Sequence, residues 1–286
     1  MSGNLKGILW MLLTSLLFVC VTGIVRHLGS NMNPVQAAFI RYALGTLLLL
    51  PVFLQLARQG KRPRRMGMHA ARGVCHGIGV MLWFFAMSRL PVAEVTALGF
   101  IAPIFTTIGA WLFLGEALRF RRIAAVLIGF AGTLVILRPG VQIIDIGAVA
   151  QLIAAPLFAG SILISKKLTQ TDSSPVIVAY LSIFVTLTLL PGALYVWRTP
   201  TLEEMGFLVL VALVATLGHL TMTQAFRHAE IAAIQPVSFI QLVWAALLGL
   251  YVFGEEPDLW TVIGGAIIVG SATYIAHRES RLKSPA

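Results

Sequence analysis

The sequence predicts an all-α integral membrane protein with ten transmembrane helices, arranged as two inverted five-helix repeats. Only 11% of the 286 residues are charged, and the mean hydropathy of +0.89 is far above that of soluble domains. Apolar runs of about twenty residues recur along the chain, each long enough to cross roughly 30 Å of hydrocarbon. The second half of the chain also repeats features of the first at an offset of about 140 residues.

The ten predicted spans are separated by short loops of turn-forming residues such as Arg138-Pro139-Gly140 and Thr171-Asp172-Ser173. The first repeat is expected over residues 6–140 and the second over residues 146–278. The spans cover residues 7–25, 34–57, 69–89, 91–115, 122–138, 146–165, 175–197, 203–226, 229–253 and 258–277.

The net charge of +10 is a topology signal, because the cations lie in short loops between apolar spans. With the N-terminus in the cytosol, 16 of the 21 lysines and arginines fall in cytosolic segments and Arg41 falls within a span. The outer segments hold only Arg26, Arg89, Arg138 and Arg198. We therefore expect a multi-pass protein of the bacterial inner (plasma) membrane, in contact with the lipid bilayer, with both termini cytosolic and no nucleic-acid partner.

Residues of the two halves match in order. Leu17-Phe18 matches Leu157-Phe158, Arg26-His27-Leu28 matches Lys166-Lys167-Leu168, Pro51 corresponds to Pro191, and Gly115-Glu116 matches Gly254-Glu255. Because five spans are an odd number, the second copy enters the membrane upside down. Inverted repeats are typical of secondary transporters, whose halves rock about a central site.

The motifs of each unit point to a family. The first unit has Pro103-Ile104-Phe105, Leu114-Gly115-Glu116 and a glycine-spaced fifth span, and the second has Phe253-Gly254-Glu255 followed by Gly264-Gly265. This pattern resembles the EamA-type branch of the drug/metabolite transporter superfamily. The second unit departs from it, because Gln241-Leu242 replaces Ala102-Pro103 and its proline comes earlier, at Pro236. The helix break is therefore expected at different places in the two halves.

The resemblance implies a secondary-active transporter that carries a small metabolite by alternating access. The stretch 98–116 is most similar to the branch that includes riboflavin and S-adenosylmethionine carriers, which suggests a vitamin or nucleoside-like substrate. The alternatives are an amino-acid or metabolite exporter of the same family and a non-transporting membrane sensor or assembly protein. Direction of transport stays open, and the glycine-rich spans 5 and 10 suit either internal packing or a homodimer.

Signatures of enzymes and ATP-driven pumps are missing from the sequence, including His-Glu-x-x-His, Gly-x-Ser-x-Gly and a glycine-rich Lys-Ser/Thr loop. We therefore expect no enzymatic activity, no catalytic residue, no cofactor and no metal site.

Polar groups inside spans are costly, so each needs a reason. Arg41 and Glu94 lie at similar depth on the outer side and could pair, either as a gate or substrate anchor or as a structural ion pair. Arg41 could also snorkel outward.

His76 and His219 both lie about a third of the way in from the cytosolic face. They suit proton coupling, or they are neutral histidines bonded to a carbonyl or a hydroxyl.

Span 9 carries Gln235, Ser238 and Gln241 on one helical face. Such uncharged stripes suit a neutral or zwitterionic substrate, or they join helices by hydrogen bonds. The resemblance places spans 4 and 9 beside a central cavity, with spans 3 and 8 and contributions from 1 and 6. The gating or coupling candidates are Arg41, His76 and Glu94, with protons as a candidate partner. The substrate-binding candidates are Trp83, Thr96, Phe100, Pro103, His219, Thr223, Gln235, Ser238, Gln241 and Trp244.

Overall fold

A computed structural model describes residues 3–28, 32–60, 63–99, 144–229 and 240–282. It also describes residues 101–102, 104–106, 109, 127–128, 130–132, 134–136, 138 and 237. These ranges contain helices and turns but no β-strand. The helices are α1 (Gly3–Leu28), α2 (Pro34–Leu48), α3 (Leu50–Arg58), α4 (Met66–Met87), α5 (Val92–Gly99), α6 (Ile146–Leu168), α7 (Ser174–Tyr195), α8 (Leu202–His228), α9 (Ile240–Phe253) and α10 (Leu259–Leu282).

Several helices begin at residues that satisfy the free N–H groups of a first turn. The Asn33 side chain accepts a hydrogen bond from the backbone N–H two residues on, and Asp145 accepts one from Gly147. At the start of α8, Thr201 and Glu204 form a reciprocal capping box. The short polar loops of the sequence therefore supply the caps that fix where these spans start.

Five of the described helices are long and apolar enough to cross a membrane, and a sixth span results if the bent pair α2 and α3 is counted as one. These five are α1, α4, α6, α7 and α8. Shorter apolar helices include Ile240–Phe253 and Leu259–Ser271. The predicted fold class, an all-α membrane protein, is confirmed.

The second predicted span is not one straight helix. Residues 34–57 were expected as a single span, but α2 ends at Leu48 and α3 starts at Leu50 with a bend of 45°. Pro51 lies in the first turn of α3, where backbone N–H groups have no partner within the helix. The N–H that proline lacks therefore costs no hydrogen bond at this position. The matching Pro191 stays inside the continuous helix α7. The breaks expected at Pro103 and Pro236 lie outside the described residues.

Each repeat packs against the other in a reciprocal way. Helix α1 packs on α8, and its counterpart α6 packs on α4. The second helices, α2 and α7, pack on each other, as do α5 and α9. Thr14 bonds to Thr221, and Gly7 lies against Ala229, so α1 and α8 run antiparallel. This exchange of partners is the arrangement expected of two inverted repeats.

Two equivalent threonines meet where α2 crosses α7. The hydroxyl oxygens of Thr46 and Thr186 lie 3.5 Å apart, and these residues correspond at the offset of about 140 that relates the repeats. A residue can touch its own equivalent only near the axis that exchanges the two copies. The pseudo-twofold axis therefore passes close to this contact.

Glycines allow close helix packing within the chain. A Cβ atom at Gly73 would lie 2.2 Å from the Cβ of Phe184, and one at Gly77 would lie 3.2 Å from Thr188. The Gly-x-x-x-Gly motif of α4 therefore lets this helix pack closely against α7. A Cβ atom at Gly132 would lie 2.8 Å from the carbonyl oxygen of Gly264. Gly132 of span 5 and Gly264 of span 10 therefore pack against each other within one chain.

Candidate functional site: a cavity between the repeats

A cavity of about 260 Å³ lies between the two repeats. It is lined by α1, α2, α4 and α5 from the first repeat and by α6, α8 and α9 from the second. All six spans named in the sequence analysis contribute, and α2 is an additional wall. Much of the wall is apolar and aromatic, with Phe18, Trp83, Phe84 and Phe158 among its side chains. Its size approaches the lower end of small-molecule sites, roughly 300 to 1,000 Å³.

His76 and His219 meet in this cavity. Their ring centroids lie 5.1 Å apart at a steep angle, although the two residues come from different repeats. The Nδ1 atom of His76 lies 3.2 Å from the hydroxyl oxygen of Ser161, and its Nε2 atom lies 2.8 Å from the hydroxyl oxygen of Tyr42. The hydroxyl partners of His76 match the structural alternative considered from the sequence.

Arg41 does not pair with Glu94, and that expectation is wrong. The Arg41 guanidinium lies over the ring of Tyr42, with its Cζ atom 3.7 Å from the ring centroid, and it lines the cavity. Glu94 does not line the cavity, and it lies near the charges of Arg138, Asp145 and Asp258 instead. Equal depth in the membrane fixes the height of a side chain but not the face of the helix from which it projects, so the two groups point to different neighbours.

Arg72 is a second buried cation of the cavity wall. The sequence analysis counted it among the cytosolic loop charges, but it lies inside α4 with 1% of its surface exposed. Its Nη1 atom donates to the carbonyl oxygen of Ile177 at 3.0 Å. No aspartate or glutamate lines the cavity in the described part of the chain. The cavity therefore carries the two positive charges of Arg41 and Arg72 without a facing carboxylate.

Three polar atoms of the wall have hydrogen-bonding capacity to spare. Among the described residues, Nε of Arg72, Oε1 of Gln151 and Nδ1 of His219 are buried without a hydrogen-bond partner. Gly99 leaves room for the Gln151 amide, because a Cβ atom at Gly99 would lie 2.9 Å from its Nε2 atom. Since buried polar atoms are normally satisfied, such atoms mark places where a bound molecule can complete the bonding.

The remaining candidates divide between the cavity and its surroundings. Trp83, Thr96 and Gln241 line the cavity. Thr223 does not, because its hydroxyl donates at 2.7 Å to the carbonyl oxygen of His219 in its own helix. Trp244 also lies away from the cavity, with 45% of its surface exposed on the outside of α9. Phe100, Pro103, Gln235 and Ser238 lie outside the described residues.

The sequence analysis missed five polar side chains of the cavity wall. Each lies inside a predicted span, so the cost of polar groups in a membrane could have singled them out. Arg72 was treated as a loop charge, and the uncharged ones carried no motif. They are Thr22, Tyr42, Arg72, Gln151 and Ser161.

A network of four residues, here the Arg26 latch, joins the repeats at one end of the molecule. Nε of Arg26 donates to a carboxylate oxygen of Glu255 at 2.8 Å, and Nη1 donates to the carbonyl oxygen of Met87 at 2.7 Å. The backbone N–H of Val92 donates to the other oxygen of Glu255 at 2.8 Å. The C-terminal ends of α1 and α4 are thus held to the end of α9.

Lys166 makes the corresponding contact in the second repeat. Its Nζ atom donates to the carbonyl oxygens of Phe226, at 2.7 Å, and Ala229, at 3.0 Å. Lys166 is the equivalent of Arg26, and Phe226 is the equivalent of Met87 at nearly the same offset. In both repeats, therefore, a cation at the end of the first helix binds a carbonyl at the end of the third.

The four arginines assigned to the outer side from the sequence all pair with acids. Besides Arg26 with Glu255, these are Arg89 with Asp145 at 3.9 Å, Arg138 with Asp258 at 2.8 Å and Arg198 with Glu204 at 2.5 Å. Exposed pairs contribute little to stability individually. Arg198 and Glu204 pair within one loop and helix start, but the other three pairs join the ends of different helices and must separate before those ends can move apart.

Comparisons with known proteins agree with this architecture. The model of the EamA-like transporter family matches residues 5–138 and 145–276. The S-adenosylmethionine uptake transporter of Rickettsia bellii (strain RML369-C) is 27% identical, with 97% of this chain and 96% of that protein covered. The riboflavin transporter of Vibrio cholerae serotype O1 is 32% identical, with 97% and 95% covered. A solved crystal structure matches the fold with a TM-score of 0.64 at 18% identity, covering 99% of both chains.

Proposed function

Because the chain belongs to the EamA-like transporter family, we propose that its substrate is a metabolite with a planar ring, of the vitamin or nucleoside-like class. The chain carries this small molecule across the bacterial inner membrane by alternating access, with both termini in the cytosol. It acts as a secondary transporter and not as an enzyme. The names of its relatives, an S-adenosylmethionine uptake transporter and a riboflavin transporter, support this substrate class.

The observation that carries the proposal is the cavity between the repeats. Its aromatic wall, with Trp83 from one repeat and Phe158 from the other, suits the faces of a flat ring. Thr96 and Gln241 add polar groups from the paired helices α5 and α9. A site shared by two inverted repeats is also where a rocking motion would expose a ligand to each side in turn.

The test is uptake by purified protein in proteoliposomes. We expect saturable accumulation of S-adenosylmethionine, riboflavin or a related nucleoside when a panel that also includes amino acids is supplied. The rival function, a membrane sensor or assembly protein, predicts no accumulation of any compound beyond that in protein-free vesicles. Preference for plain amino acids over every ring compound would instead favour the exporter class of the family.

Two tryptophans provide a matched pair for the ring-binding part of the proposal. Trp83→Ala removes an aromatic wall of the cavity, whereas Trp244→Ala removes an exposed indole of α9. Loss of stacking costs about 0.5 to 1.5 kcal/mol, so we expect the apparent affinity of the Trp83→Ala variant to fall by up to roughly tenfold. The Trp244→Ala variant should retain its affinity. Equal effects of the two changes would contradict a ring site at Trp83.

Protons are a proposed coupling partner, and the same vesicles test them. A pH gradient imposed across the membrane should change the rate of uptake if His76, His219 or Glu94 carries a proton during transport. Uptake that is the same with and without the gradient removes the coupling role from all three residues and leaves exchange or facilitated diffusion.

A further inference from the structure

We propose that the substrate carries an oxyanion, a carboxylate or a phosphate, which Arg41 binds inside the cavity between the repeats. This inference rests on the proposed transport function and adds the chemical class of one end of the substrate. It follows from the charges, contacts and unused bonding capacity of the cavity wall.

Arg41 is a buried cation without an anionic partner. Only 6% of its surface is exposed, its neighbour is the uncharged Tyr42, and no carboxylate pairs with it within the described ranges of the chain. Its guanidinium rests on the Tyr42 ring, which fixes its position but does not neutralise its charge. A charge in this position is costly unless it is paired, so an intramembrane arginine facing a cavity marks a ligand contact.

The surroundings of Arg41 favour an anion over a cation. Arg72 adds a second guanidinium to the same wall, and no carboxylate faces either of them among the described lining residues. The planar guanidinium fork matches the two oxygens of a carboxylate or a phosphate, which a lysine ammonium does not do as well. The net positive wall would attract an oxyanion and oppose a ligand with only positive charge.

Two further atoms of the cavity point to a ligand with polar groups. Nδ1 of His219 and Oε1 of Gln151 are buried and have no hydrogen-bond partner in the described structure. His219 has 6% and Gln151 has 2% of its surface exposed, so water has limited access to both side chains. The Gln151 oxygen is an acceptor, and a donor on the substrate, such as an amine or a ring N–H, would satisfy it. Arg41 and Gln151 together therefore favour a substrate with an acidic group and a separate donor.

The experiment compares pairs of compounds that differ in the oxyanion. One pair is S-adenosylmethionine and its decarboxylated form, and the other is riboflavin 5′-phosphate and riboflavin. Binding is measured by calorimetry on the purified full chain in detergent. We expect the member with the oxyanion to bind at least tenfold more tightly than the member without it in at least one pair. Discrimination in the first pair identifies a carboxylate, and discrimination in the second pair identifies a phosphate.

Substitution of Arg41 then assigns the discrimination to this residue. In the Arg41→Gln variant, the two members of a pair should bind with nearly equal affinity, so the ratio of their dissociation constants falls to about one. The Arg41→Lys variant should keep part of the preference, because its charge is retained. Arg89→Gln, at an exposed position away from the cavity, is the control and should keep the full preference. If Arg41→Gln does not fold, the comparison of compound pairs on the unaltered chain still decides whether an oxyanion is recognised.

Three results would overturn the proposal. They are equal binding within both pairs, tighter binding of the members without the oxyanion, and an unchanged preference in a folded Arg41→Gln variant. Uptake of a compound without an oxyanion, combined with any of these, would leave the transport function standing and reject only the role of Arg41. If none of the four compounds binds or is taken up, both the oxyanion site and the proposed substrate class are rejected.

Discussion

Tyr42 and His76 show how single residues hold the cavity wall together. The Tyr42 hydroxyl lies 2.8 Å from Nε2 of His76, and the Tyr42 ring supports the Arg41 guanidinium. Tyr42 itself has only 1% of its surface exposed. One side chain thus positions an imidazole through its hydroxyl and a cation through its ring.

Changing Tyr42 to phenylalanine separates these two roles. The ring stays, but Nε2 of His76 loses its partner, and a buried atom left without a hydrogen bond costs about 1 to 3 kcal/mol. We expect the melting temperature in detergent to fall by a few degrees while the preference for acidic compounds persists. Tyr251→Phe, at an exposed position of α9, is the control and should melt like the unaltered chain. An unchanged melting temperature for Tyr42→Phe would show that the hydroxyl contact is not stabilising.

For single residues, the sequence predicts which polar side chains line the cavity better than it predicts which groups those side chains contact. Arg41, His76, His219 and Gln241 were all singled out by their cost inside a membrane, and all four line the cavity. The partner proposed for Arg41 was wrong, because sequence spacing gives depth along a helix while contacts depend on how helices rotate and cross. The roles of these residues in binding stay predictions.

Glycine spacing decides the packing of helix α4. Gly73 faces the backbone and Cβ atom of Phe184 on α7, whereas Gly67, on the same helix, has open space around it. The same substitution at these two positions therefore has opposite expected effects. At Gly67 alanine adds helix propensity, and at Gly73 it forces two helices apart.

Gly73→Ala should lower the melting temperature markedly, because the new Cβ atom would lie 2.2 Å from that of Phe184 and α7 would have to shift. Gly67→Ala should be neutral or slightly stabilising, by up to about 1 kcal/mol. Thermal unfolding of the two variants in the same detergent is the measurement. Equal stability of the two would refute the close approach of α4 and α7 at Gly73.

The elements also show where apolar patterning falls short. Hydropathy predicts a helical, membrane-spanning segment over residues 34–57, but the same apolar run contains the 45° bend at Leu49. Pro51 and Pro191 are equivalent in sequence, yet only Pro51 follows a break. Proline permits a bend, and the neighbouring helices determine whether the bend occurs, so a repeat alignment alone could not distinguish the two.

For the whole molecule, the Arg26 latch is the feature most directly linked to alternating access. It holds the ends of α1, α4 and α9 together, and in the proposed orientation it lies on the outer side. Opening the cavity outward would require Arg26 and Glu255 to separate. Weakening this contact should therefore shift the population toward outward-open states.

Glu255→Gln removes the charge of one partner, and Glu256→Gln, at the neighbouring exposed acid, is the control. The reporter is Thr22→Cys in the cavity wall, labelled by a membrane-impermeant thiol reagent from outside. The native Cys20 and Cys75 are first replaced by alanine. Loss of a charge-assisted bond of about 1.5 to 3 kcal/mol should speed labelling about tenfold or more in Glu255→Gln. Equal labelling in both variants would mean that the latch does not restrict access.

The contact of Thr46 with Thr186 has a consequence for spectroscopy. If the two repeats simply exchange conformations during transport, the distance between any residue and its equivalent is the same before and after the exchange. A pair of spin labels at these two positions would then be a fixed internal ruler in both states. Labels near Arg26 and Glu255, which are not equivalents, would report the motion, and a change at the threonine pair would reveal movement that breaks the symmetry.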